Sequence, residues 1–133
     1  MILVDTSVLI DFFRGYATPA VEKLAELDRS DAPFAIPAFC CQELLQGAKD
    51  ENEWTLLTEY LGTQRIHHTD DPWRTHVGAA RIFFDLRRRG ITLRSTVDCW
   101  VAQLALEAEA TLLHDDEDYD HVGSVRPLQA VRG

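Results

Sequence analysis

This chain of 133 residues is poor in several things, and each shortage removes a class of protein. Cysteine occurs only as Cys40, Cys41 and Cys99. An odd count with two neighbours is neither a disulfide framework nor a zinc-ligand spacing, so these read as reduced core thiols. The histidines His67, His68, His76, His114 and His121 lack the paired intervals of a zinc site. No apolar run approaches the roughly 20 residues of a membrane helix. No basic leader, apolar h-region or cleavage site precedes the first apolar strand, so a cytoplasmic location is expected. Basic residues are outnumbered 13 to 22 by acidic ones, for a net charge of −9. That balance argues against holding nucleic acid on a broadly basic surface, although carboxylates gathered to hold cations would themselves lower the count. There is no repeat, linker or low-complexity segment, and the length fits one domain over residues 1–133 with a real core.

What is present begins with Ile2-Leu3-Val4, an unbroken apolar run that ends in Asp5, Thr6 and Ser7. Such a run suits a central parallel strand covered on both faces, and ligands in such sheets sit beyond the strands' carboxyl ends. Asp5 would stand at that mouth; the alternative is that Asp5 or Thr6 only caps the helix that follows. Further strands are expected at Phe34-Ala35-Ile36, at Arg65-Ile66-His67, at Thr111-Leu112-Leu113-His114 and from Val125. Helices are expected at residues 8–13, 17–27, 37–49, 54–61, 69–89 and 95–110. In the helix of residues 69–89, Trp73, Val77, Ala80 and Phe84 read as the inner stripe, opposite Arg74, Arg81, Asp85 and Arg88. Alternating strands and helices predict a three-layer α/β/α domain with a mainly parallel sheet of four to five strands.

Asp5, Glu43, Asp98 and Asp116 then occupy comparable places, each near the carboxyl end of a strand or in a helix that follows one. Each also has a plainer reading. Glu43 would be solvated if its helix were rotated. Asp98, following Ser95 by three residues, has nearly the spacing of a capping box, although small Ala102 and Ala105 on the same face leave room for a buried carboxylate. The run Asp115-Asp116-Glu117-Asp118 with Asp120 is commonest as a solvated loop. Carboxylates gathered in one cleft repel each other unless cations neutralise them, and oxygen-only ligands favour magnesium or manganese over zinc. Such ions chelate a phosphodiester and lower the pKa of a bound water.

With these residues in view the chain resembles the PIN-domain ribonucleases, and more narrowly the VapC-type toxins of toxin-antitoxin pairs. The resemblance rests on Ile2-Leu3-Val4-Asp5-Thr6-Ser7-Val8-Leu9-Ile10, Gln42-Glu43-Leu44-Leu45-Gln46-Gly47, Gly90-Ile91-Thr92 leading to Asp98-Cys99-Trp100-Val101-Ala102, and Leu112-Leu113-His114-Asp115-Asp116-Glu117-Asp118-Tyr119. It spans nearly the whole chain and implies a PIN-like α/β/α domain. It also implies that Asp5, Glu43, Asp98 and Asp116 are catalytic and hold one or two magnesium or manganese ions that hydrolyse RNA phosphodiesters. Asp118 matches a further acidic position, and Thr6 and Ser7 are supporting residues. Two positions depart from the family pattern: His114 stands where Thr or Ser is usual, and Phe39-Cys40-Cys41 replaces a more usual Ser- or Thr-containing segment before Glu43.

The same resemblance implies a homodimer and a small antitoxin that lays a peptide along the cleft. Trp54, Trp73, Phe83 and Phe84 would serve those surfaces, against the plainer reading that they are core. Arg87, Arg88, Arg89 and Arg94 form a basic cluster that would either meet the RNA backbone near the mouth or complement a helix end. The rivals to a toxin are a PIN-type RNA-processing nuclease without an antitoxin, a noncatalytic acidic module that binds a basic partner, and a magnesium-dependent phosphatase.

Overall fold

The computed structural model describes residues 1–133. Its sheet is wholly parallel, from β1 (Ile2–Val4), β2 (Phe34–Pro37), β3 (Ile66–His67), β4 (Thr111–Leu113) and β5 (Ala130–Val131), in the order β3-β2-β1-β4-β5. The first strand is the central one, as its apolar run predicts. Leu3 and Val4 are fully buried between Ala35 and Ile36 on one side and Leu112 and Leu113 on the other.

The helices are α1 (Thr6–Phe13), α2 (Pro19–Arg29), α3 (Ala38–Gln46), α4 (Glu51–Gly62), α5 (Pro72–Arg88), α6 (Thr96–Glu107) and α7 (Asp118–Gly123). The chain steps from β1 through β2 to β3 in one direction and then crosses β1 to reach β4 and β5. Right-handed crossovers therefore place α1 to α4 on one face and α5 and α6 on the other, a doubly wound three-layer arrangement. Reversal of strand order beside β1 opens a crevice at the carboxyl ends of β1 and β4. No helix is long and apolar enough to cross a membrane.

Most helix starts are set by short polar side chains. Asp5, Thr18, Asp50, Asp71 and Ser95 each accept a hydrogen bond from a backbone N–H in the first turn of the following helix, with Pro19 and Pro72 just inside α2 and α5. The helix after β2 ends at Gln46, short of the expected residue 49, because Gly47 and Ala48 turn back onto the carbonyls of Leu44 and Leu45.

Two expectations are corrected. The inner stripe of α5 is Thr75, Ala79, Ile82 and Leu86; Trp73 is 75% exposed, and Val77, Ala80 and Phe84 are exposed with it. Both stripes have helical spacing and lie about 200° apart around the helix. The buried one wins because α5 and α6 pack closely where Gly78 meets the Gln103 side chain, and because buried Thr75 donates to Glu107 Oε1 at 2.9 Å. Second, the last strand starts at Ala130, not Val125: Val125 and Arg126 both donate backbone N–H to Val122, closing the turn after α7. In the acidic run the plainer reading, a solvated loop, holds only in part. Asp115, Glu117 and Asp120 are exposed, but Asp118 and Tyr119 are buried at the start of α7.

Candidate active site

The crevice at the ends of β1 and β4 gathers Asp5, Asp98, Asp116 and Asp118, with Glu43 on the α3 side. Asp5 is buried where β1 becomes α1, and its role as helix cap is real as well. Its Oδ2 accepts from the Ser7 N–H at 3.0 Å and the Ser7 hydroxyl at 2.6 Å. Its Oδ1 accepts from the Tyr119 hydroxyl at 2.6 Å and faces the Cys40 thiol at 3.7 Å. Each oxygen of Asp5 thus already meets two protein donors. The Ser7 hydroxyl accepts in turn from the Asp115 N–H at 3.0 Å, tying the end of β1 to the loop after β4.

Thr6 donates to Glu43 Oε1 at 2.8 Å, joining α1 to α3. Burial pushes the Glu43 carboxyl up, partly offset by that hydroxyl. Cys40, in the unusual Phe39-Cys40-Cys41 segment, is fully buried, and burial with the neighbouring Asp5 pushes its thiol well up, so it faces the site as a neutral small side chain. All three cysteines are free.

Asp98 lies in the first turn of α6, 7% exposed. The capping-box reading fails: the Ser95 hydroxyl caps through the Val97 N–H, while Asp98 turns inward over Ala102 and Ala105 and meets the Tyr119 hydroxyl at 3.3 Å. One ligand atom from each of Asp98, Asp116 and Asp118 lies within 4.8 Å of the other two. Burial, then a proton shared with Asp118, then the charges of Asp5 and Asp116 push Asp98 up to about 8. Asp118 Oδ2 is buried and, with both groups ionised, has no donor. Either a proton or a cation satisfies it, and an all-oxygen set of this kind suits a hard divalent ion.

Two local bonds fix this cluster. Asp118 donates its N–H to Asp116 Oδ1 at 2.9 Å, and Asp116 donates its own N–H to His114 Nδ1 at 3.1 Å. His114 is buried against the Tyr119 ring, and desolvation holds its pKa below the usual imidazole range, consistent with a neutral ring accepting at Nδ1. The departure at position 114 therefore keeps an acceptor for the turn that presents Asp116.

Of the residues expected in the site, Asp98, Asp116 and Asp118 form the compact group. Asp5 is linked to Asp98 through Tyr119, and Glu43 stands apart beside Thr6. The expected basic cluster is dispersed: Arg87 and Arg88 lie over the rings of Phe83 and Phe84, and Arg89 donates to the Ser124 carbonyl. Arg94 alone of the four reaches the acids, with Nη2 3.2 Å from Asp116 Oδ1. Sequence alone assigns Tyr119 no role; its one signal is a hydroxyl-bearing aromatic directly after the acidic run.

Fold and site together define a doubly wound α/β protein with a largely buried carboxylate cluster at its topological switch point. Residues 2–125 match the PIN domain, and the chain belongs to that family. It is 35% identical over 132 residues to ribonuclease VapC11 of Mycobacterium tuberculosis and to VapC ribonuclease Mb1587 of Mycobacterium bovis, covering 98% of this chain and of each relative. The fold is shared with the solved structure of VapBC2 from Rickettsia felis bound to a promoter DNA fragment, with TM-score 0.76 and 18% identity over 98% of both chains. It is shared also with FitAcB from Neisseria gonorrhoeae, with TM-score 0.73 and 21% identity over 99% of this chain and 97% of that one.

Proposed function

We propose that this protein is a divalent-metal-dependent endoribonuclease acting as the toxin of a toxin-antitoxin pair, with residues 1–133 working as one domain. The observation that carries the reading is the Asp98-Asp116-Asp118 group, whose ligand atoms lie within 4.8 Å of one another with Asp98 and Asp118 buried and Asp118 Oδ2 without a hydrogen-bond partner when both buried carboxylates are ionised. The two mycobacterial relatives are named as ribonucleases, which supports RNA as the substrate.

Asp98, Asp116 and Asp118 would hold magnesium or manganese, and Asp5 and Glu43 complete the acidic lining. A bound divalent ion supplies positive charge against the phosphodiester and acidifies water at the site. Tyr119 and Ser7 hold Asp5 by its two oxygens, so its charge is fixed in direction before substrate arrives. Thr6 does the same for Glu43, whose raised pKa suits it to take a proton from water at the α3 side of the mouth.

The antitoxin reading is supported by the solved relatives, several of which are toxin-antitoxin complexes, and by a groove beside the site. That groove, of about 550 Å³, has Ile10, Phe13, Leu44 and Leu57 in its lining, with Glu43 among its polar residues. An amphipathic peptide seated there would end beside the carboxylates. A homodimer would use the exposed stripe of Trp73, Val77 and Phe84 on α5.

The test is cleavage of labelled cellular RNA by the wild-type protein and by Asp98→Asn, each with magnesium, with manganese and with chelator. Metal-dependent cleavage that disappears in the variant is expected. Cleavage that persists in chelator, or in Asp98→Asn, would overturn the metal site; turnover of a small phosphate ester but not RNA would favour a phosphatase.

A further inference from the structure

Arg94 lies between two fixed points in the loop from α5 to α6. Leu93 is buried in the core, and Ser95 caps α6. The chain therefore holds the Arg94 backbone at the rim of the acidic cluster while leaving its side chain 71% exposed. Its Nη2 lies 3.2 Å from Asp116 Oδ1, and its Nε 3.9 Å from Asp118 Oδ1. No other lysine or arginine pairs with Asp5, Glu43, Asp98, Asp116 or Asp118.

We propose that Arg94 is an internal counter-cation of the cluster, which gives up Asp116 and Asp118 when a divalent ion binds and then contacts an RNA phosphate; this rests on the nuclease reading above. Asp116 Oδ1 already accepts the Asp118 N–H and one guanidinium N–H, so a cation drawn to this oxygen competes with Arg94 directly. The competition is uneven. The guanidinium sits on the solvent side, where an exposed pair is weak, whereas Asp118 is almost fully buried and its second oxygen meets no lysine, arginine or backbone N–H. Only one of the five guanidinium N–H donors hydrogen-bonds to a protein acceptor. Once released, a planar fork on a pinned backbone matches two phosphate oxygens at the mouth of the site. In a chain of net charge −9 whose Arg87, Arg88 and Arg89 are engaged elsewhere, Arg94 is the cation that pairs with this cluster.

The test has two arms. Calorimetric titration with manganese alone compares wild type, Arg94→Gln and Arg94→Lys; removing the competitor should tighten manganese binding by about fivefold in Arg94→Gln, with Arg94→Lys nearer wild type. Cleavage of labelled cellular RNA at saturating manganese should show KM raised by about tenfold in Arg94→Gln and partly recovered in Arg94→Lys, with kcat much less affected. The log–log dependence of KM on salt should also flatten by about 0.7, the share of one single-strand phosphate contact. Unchanged or weakened manganese binding in Arg94→Gln would overturn the counter-cation role whatever the RNA arm shows. Tighter binding with unchanged KM would overturn the phosphate contact. RNA left intact by wild type would overturn the nuclease reading and with it the phosphate contact, while the calorimetry still decides the competition.

Discussion

Tyr119 donates its hydroxyl to Asp5 Oδ1 at 2.6 Å, with both residues buried and the same hydroxyl 3.3 Å from Asp98 Oδ1. A residue from α7 thereby fixes the carboxylate at the end of the first strand. Tyr119→Phe keeps the ring packed on His114 and removes only this donor. Because a buried carboxylate left short of a partner is costly, the variant should lose about 1–3 kcal/mol of stability. Urea unfolding of the metal-free protein measures it, and RNA cleavage should fall in parallel as Asp5 loses its orientation.

The pH dependence of stability follows from Asp98. Its carboxyl is pushed up to about 8 by burial first and then by the proton shared with Asp118, against about 4 in an unfolded chain. Between those values the folded protein holds a proton that the unfolded chain has lost, so stability falls as pH rises and levels off above about 8. Buried His114, with its pKa lowered, works in the opposite sense as pH falls below about 6.5, so the Asp98 effect is clearest from there upward. Calorimetric melting in chelator from neutral to mildly alkaline pH should show a declining Tm. The decline should flatten in Asp98→Asn, and manganese should raise Tm most at the alkaline end, where no proton must be displaced.

Asp118→Asn separates stability from metal binding. Removing one charge from a crowded buried cluster relieves repulsion, and the metal-free Tm should rise by a few degrees, as commonly happens when a functional site is relaxed. Manganese should then stabilise the variant far less than wild type. A thermal-shift series with and without manganese tests both expectations; an unchanged manganese response would exclude Asp118 as a ligand.

The two apolar stripes of α5 predict opposite outcomes. Ile82→Ala, at a fully buried position, should cost about 2–5 kcal/mol through lost burial and a cavity. Trp73→Ala, at an exposed one, should change monomer stability by less than about 0.5 kcal/mol. Sedimentation velocity on Trp73→Glu tests the proposed pairing face: a wild-type dimer that becomes monomeric supports it, and an unaltered dimer refutes it.

Local chemistry determined a good part of this protein from sequence alone. The apolar run Ile2–Val4 ending in Asp5 defines a central strand whatever surrounds it, because only a doubly covered position buries such a run. Small Ala102 and Ala105 beside Asp98 announced a carboxylate turned inward, and Ser95 marked the start of α6 through a hydrogen bond confined to a few residues. These signals survive without knowledge of the fold because their partners lie within one turn or one strand.

Tertiary structure decided what depends on distant partners. The acidic run could not reveal that Asp118 and Tyr119 turn inward, since their partners Asp98 and Asp5 lie 20 and 114 positions earlier. Nor could the sequence choose between the Trp73-Val77-Ala80-Phe84 and Thr75-Ala79-Ile82-Leu86 stripes, which share one spacing. The larger apolar set faces out because the contact with α6 needs the slimmer face around Gly78, and because Glu107 receives the hydrogen bond of buried Thr75. Periodicity fixes which residues share a face; which face is covered depends on what packs against it.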